Sequence, residues 1–193
     1  MNKNTRKIVK NVDLMRKNSE NQAIHRNLPL ARETLALLED LDDPEEGPLG
    51  KAYACNAILG QLSEYDTPRF ALELLRRELA WLEESDEKSE NLTVEEVQGE
   101  IEKLEAYIDC DGVSMEEFCS RYGRHLHFDP VERTPRWEEI WYDVEEECDR
   151  ETKGFPRGMG FCFGYWSVKR RVLQKYGIDW KSPHMMNPHV MFD

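Results

Sequence analysis

Three groups of residues in this chain are of types that can bind or react. The stretch from Gly154 to Trp180, GFPRGMGFCFGYWSVKRRVLQKYGIDW, holds seven aromatic residues and five Lys/Arg against one acid, Asp179, and Lys181 follows directly. Cations contact phosphates and flat rings stack on bases, so this mixture suits single-stranded nucleic acid. Arg and aromatic side chains are also enriched where proteins bind each other. The segment His125-Leu-His127-Phe-Asp129 places two imidazoles and a carboxylate on one side if extended, with Cys119 and Cys148 as further metal ligands should the fold bring them near. The tail from Ser182 to Asp193 repeats Pro-His at 183–184 and 188–189 among Met185, Met186 and Met191, a soft donor set that can hold Cu(I).

Each group also has a plainer reading. Loop histidines beside an Asp129-Pro130 turn explain residues 125–129. The prolines of the tail suit an extended strap laid over the domain, with Met and Phe side chains filling grooves. For nucleophilic catalysis only Cys162 or Cys119 with His125 or His127 is worth naming, and Cys162 also falls beside an apolar stripe. Gly158-Met159-Gly160 and Gly164 resemble a phosphate loop in glycine content alone. The dinucleotide version needs a preceding strand and the P-loop version a Lys-Ser/Thr, whereas an acidic helix precedes and Tyr165-Trp166 follows. The expectation is no catalytic residue, no cofactor and no metal, with an unassigned Cys/His or metal-dependent enzyme as the third-ranked reading.

Composition narrows the function classes. The chain has 193 residues, a net charge of −13 and 34% charged residues, a balance that suits a helix-rich protein with a large solvated surface. The charge is uneven. Residues 1–26 carry seven Lys/Arg against two acids, residues 27–111 seven against 23, and residues 112–193 twelve against 14. The middle segment therefore repels phosphates and attracts a basic partner surface. No apolar run approaches the roughly 18 residues of a membrane span, and the basic N-terminus lacks the apolar core of a secretory signal. Five cysteines without a CxxC pair argue for reduced thiols. A cytoplasmic protein without membrane contact is expected, its oligomeric state open.

The elements that must position these residues follow from periodicity. Fourteen of the nineteen aromatic residues lie between Phe118 and Phe192, so two units are expected: an acidic antiparallel bundle of about four helices over 27–111, and a smaller aromatic-rich helical or α+β unit over 112–193 ending in an extended strap. Residues 1–26 form a basic, flexible arm in this reading. In the first unit, Asn27 caps a helix with Pro29 in its first turn, ended by Asp42-Asp43-Pro44; a second runs from Leu49 to Tyr65. Thr67-Pro68 and the Thr93/Glu96 capping box start the others. In the second unit Ser114 and Thr134 are caps, His125–Val131 is extended, and Trp137, Ile140, Trp141, Val144 and Cys148 share a face. A helix through 161–176 closes at Gly177, with Ile178 against Leu173.

Laid on that helix, Phe161, Tyr165, Trp166 and Tyr176 turn inward. What stays outside is Arg157, Phe163, Arg170, Arg171 and Lys175, and these five are the expected binding surface. The reading that results is a non-catalytic protein-binding or inhibitor-like protein whose partner carries a basic surface; binding of single-stranded nucleic acid through 154–181 is the alternative.

Overall fold

A computed structural model describes residues 3–41 and 47–192. Among them the chain forms nine α-helices and two short 3-10 helices, with no strand. The protein is mainly helical. It divides into two compact units, Met1–Glu105 and Ala106–Asp193.

In the first unit, α1 (Lys3–Glu20) and α2 (Asn27–Glu39) pack together, as do α3 (Gly47–Leu59) and α4 (Pro68–Glu84). Helix α1 occupies the segment that charge sets apart as a basic arm. Ile8 and Met15 bury against the unit, and Asn11 donates to Thr34 at 3.1 Å and to Glu33 at 3.0 Å. Asn27 is no cap: it lies inside α2, fully buried, and its amide reaches the carbonyls of Met15 (3.1 Å) and Gln61 (2.8 Å) while accepting from Asn18. A buried amide that satisfies main-chain carbonyls from two other segments fixes their register, because leaving those groups unpaired would cost about 1–3 kcal/mol each. The expected break at Asp42-Asp43-Pro44 lies outside the described residues.

Helix α4 begins at Pro68 as its sequence dictates, yet Thr67 turns its hydroxyl back to the Ser63 carbonyl instead of capping. Helix α5 (Val94–Ile108) opens with the Thr93/Glu96 box formed in both directions. Val97, Leu104 and Tyr107 are its buried residues.

In the second unit, Ser114 caps the short α6 (Met115–Arg121), and Thr134 caps α7 (Pro135–Thr152), each hydroxyl accepting from the main-chain N–H three residues on. Residues 125–129 form neither helix nor strand. Phe128 instead folds inward, its ring 5.2 Å from Tyr107 and 6.0 Å from Phe118, and Tyr107 meets Phe118 edge-on at 5.3 Å. Such pairs add about 0.5–1.5 kcal/mol each beyond their buried area.

Arg133 sits beside this aromatic cluster, almost fully buried. Its guanidinium donates to the carbonyls of Tyr107, Val113 (2.8 Å), Ala106 (3.0 Å) and Asp109 (2.8 Å). The last carbonyls of an α-helix have no partner within it and form the negative end of its dipole. Arg133 therefore caps α5 and ties it to the turn through 109–113 with one side chain.

Helix α8 (Phe161–Lys175) packs on α7 and ends as its sequence dictates. Gly177 is left-handed at φ +78°, Ile178 N–H donates to the Leu173 carbonyl (3.1 Å) and Gly177 N–H to that of Gln174 (3.0 Å). The tail is held down by more than apolar contact. The Asn187 side chain accepts from His127 N–H and donates to its carbonyl, both at 2.8 Å, and Lys181 N–H donates to Asp129 at 2.7 Å. Its course is broken by one short helix, α9 (Pro183–Met186).

Candidate functional site: an aromatic and methionine groove beside α8

The five residues expected to form one exposed surface are in different circumstances. Lys175 pairs with Glu147 and, at 3.5 Å, Glu151; Arg171 pairs with Glu151; and the Arg170 Nε donates to the Trp180 carbonyl at 3.1 Å. The Glu147 carboxylate, through its hydrogen bond, holds the Lys175 ammonium above its usual range. Arg157 lies over the Phe161 ring, 4.4 Å from its centroid. The acidic face of α7 thus meets the basic face of α8 within the same unit.

Lys169 shows the same pairing at greater depth. It is buried, 2.7 Å from Glu145, with its ammonium 5.0 Å from the Trp137 ring and 5.4 Å from Trp180. A cation between two indole faces gains from both ring quadrupoles. Tyr165 donates its hydroxyl to the same carboxylate, and burial, together with the Glu145 charge, pushes its phenol well above the ordinary range. Phe161, Tyr165, Trp166 and Tyr176, expected inside, are half-buried; the buried side chains of α8 are Val168, Lys169, Val172 and Leu173. Val168 and Val172 of the expected stripe are buried with Lys169, whose partner Glu145 lies on α7, while the stripe's rings stay half-buried.

Phe163 remains as expected, 42% exposed. It borders a groove of about 470 Å³ whose walls are Met159, Phe163 and the tail residues His184, His189, Met191 and Phe192. His184 meets the Phe163 ring edge-on at 5.3 Å and Phe192 at 6.2 Å; Trp166 closes the cluster at 5.6 Å from Phe163 and 5.2 Å from Phe192. Met159 and Met191 stand almost wholly in solvent, 94% and 96% exposed. Nothing in the local sequence of 154–180 reveals the groove, because half of its wall comes from the tail.

Of the 125–129 segment, the Asp129 carboxylate is engaged by main-chain donors. Asp129 accepts from Val131 N–H (3.1 Å) and Lys181 N–H (2.7 Å) and completes a capping box with Glu132. Among the described residues no group of three His, Cys, Asp or Glu is placed to hold a metal ion. Gly160, left-handed at φ +80°, leads into α8 as a turn.

Cys55, Cys119 and Cys148 are buried, Cys162 is half-buried and Cys110 is exposed; all are free thiols. Burial first, then the Glu145 charge, pushes Cys148 up to about 12, and burial also raises Cys119. A thiol so shifted carries almost no thiolate at neutral pH. Titration of the native protein with a chromogenic disulfide reagent is therefore expected to modify Cys110 first and Cys162 more slowly, and the other three only after unfolding. Five equivalents reacting together would show that the buried set is mis-assigned.

The first unit holds an apolar hollow of about 290 Å³, between Ile8 and Val12 of α1, Leu38 and Leu41, and Ala54 of α3. No histidine or cysteine lines it. One residue of that unit was not legible as special: Glu78 on α4, fully buried, with neither carboxylate oxygen in bonding geometry with a donor. A signal existed, since Ala71, Leu75, Glu78 and Leu82 follow the 4-3-4 spacing of a buried seam.

Among the described residues no helix is long and apolar enough to cross a membrane. No family model, no curated protein and no solved structure matches the chain.

Proposed function

We propose that this protein acts by binding another protein, through the groove beside α8, and that the partner carries a basic surface and inserts an apolar side chain between Phe163 and Met191. The carrying observation is the pair of almost fully exposed methionines flanking an aromatic groove. Exposed thioethers adapt to irregular apolar surfaces, and proteins that bind by apolar contact use them for that reason. Charge favours a basic partner: residues 27–111, read as an acidic helical bundle, hold 23 acids against seven bases, a field that speeds association with a positive surface. Five free thiols fit a reducing compartment.

Single-stranded nucleic acid is disfavoured on the same face. Lys169, Arg171 and Lys175 are ion-paired with glutamates of α7, so a phosphate would have to displace carboxylates already in place.

The test is a photo-crosslinking residue at position 163 in otherwise native protein, exposed to native lysate over a salt series. The expected product is one discrete protein of basic isoelectric point, weakened by salt and lost when Met191→Asp is added. A cross-linked product that persists unchanged in the Met191→Asp background, or no product other than this chain itself, overturns the proposal. A nuclease-sensitive product would favour the nucleic-acid reading.

A further inference from the structure

Two imidazoles and two thioethers line the same groove: His184, His189, Met159 and Met191. Three of them come from the tail, where they are separated by five and two residues, but Met159 comes from the turn before α8, more than twenty residues earlier. The fold thus completes a donor set that the tail alone does not hold. We propose that this groove is a binding site for a soft monovalent metal ion, Cu(I).

The identity of the ion follows from the donors. Zinc sites require three or four nitrogen, thiolate or carboxylate ligands. Here the count of such groups stops at two, in keeping with the absence of any three-residue His/Cys/Asp/Glu cluster among the described residues. What brings the set to four is thioether sulfur, a neutral soft donor that Cu(I) accepts and hard divalent ions do not. The two thioethers are solvated and unobstructed at 94% and 96% exposure, free to swing toward an ion without breaking core contacts. His184 is held between the rings of Phe163 and Phe192, so one ligand is oriented before the metal arrives.

This site goes beyond the protein-binding reading, and either can fail without the other. Seven methionines give a direct probe through their ε-methyl groups. Protein labelled with 13C at these methyls is titrated with Ag(I), an air-stable stand-in for Cu(I), and with Zn(II). One equivalent of Ag(I) is expected to shift the Met159 and Met191 methyls, leaving the buried Met15 and Met115 in place, and Zn(II) to shift none of the four. In competition with bicinchoninate under anaerobic reducing conditions, the Met159→Leu/Met191→Leu double variant, in a Cys110→Ser/Cys162→Ser background that removes the accessible thiols, is expected to bind Cu(I) at least as much weaker as the roughly tenfold that disturbing a ligand's support costs. Leucine keeps the groove apolar, so folding is not at issue. Methyl shifts confined to Met185 and Met186, no shift at one equivalent, or equal affinity of the double variant and its parent would each overturn the site.

Discussion

Replacing Arg133 by Met is expected to cost the second unit about 3 kcal/mol, because the carbonyls of Ala106, Tyr107 and Val113 lose their donor at once, Asp109 keeping the Val113 N–H at 3.1 Å, while the cavity stays filled. The carbonyls of Tyr107 and Val113 belong to buried residues beside the fully buried Phe118, whereas Ala106 is half-buried and Asp109 exposed. Arg133→Lys separates geometry from charge. An ammonium keeps the favourable charge at the α5 C-terminus but offers one compact point where the guanidinium offers a planar fork, so it should recover less than half of the loss. Urea denaturation of the three proteins measures both effects. A Met variant within about 1 kcal/mol of the parent, the size of an ordinary surface change, would mean that these bonds are not what holds the turn.

Glu78 carries the second large effect, and its sign is opposite to that of most buried-residue changes. Burial, opposed only by the Asn56 amide, raises its carboxyl to about 7. Burial and then the Glu78 charge also drive the Cys55 thiol well up, with the Arg77–Glu39 pair (2.7 Å) as the other nearby charges. The folded form therefore holds a proton that the unfolded chain releases from about pH 4.5 upward. Folding pays no penalty below that pH; the penalty grows between pH 4.5 and 7 and is complete above, at about 3 kcal/mol. Stability of the first unit is expected to fall as pH rises through this window. Glu78→Met, similar in length and uncharged, should match the parent near pH 5 and exceed it by about 3 kcal/mol at pH 8. Glu33 and Glu151, whose carboxyls are held low by Lys7 and by Arg171, act below pH 4.5 and leave the window clear. Parallel stability curves for parent and variant would sink this assignment.

Much of the fold was legible because it rests on local rules. Thr93/Glu96, Ser114, Thr134-Pro135 and Gly177 each mark a helix end through contacts within five residues, and all four ends occur where the sequence puts them. The residues misread are those whose partners are distant. Asn27 has the type of a cap and becomes a buried cross-link because Gln61 and Met15 come to it. Lys169 is a lysine in a basic run and is buried because Glu145 and two indoles from remote segments receive it. The same holds for the site. Phe163 was visible as a ring on a polar face; the groove was not, since Met159 and the tail meet only in the folded chain.

The lysine held between Trp137 and Trp180 also gives the second unit its own optical signature. Four of the five tryptophans, Trp137, Trp141, Trp166 and Trp180, lie beyond residue 106, and only Trp81 lies before it. Indole emission is sensitive to a neighbouring ammonium and to the hydrogen bond that the Trp180 N–H makes to Glu132 at 2.8 Å. With four of the five indoles there, fluorescence is expected to report mainly on residues 106–193. Melting of α1 to α4 would pass almost unseen in fluorescence and would need helix circular dichroism to be followed.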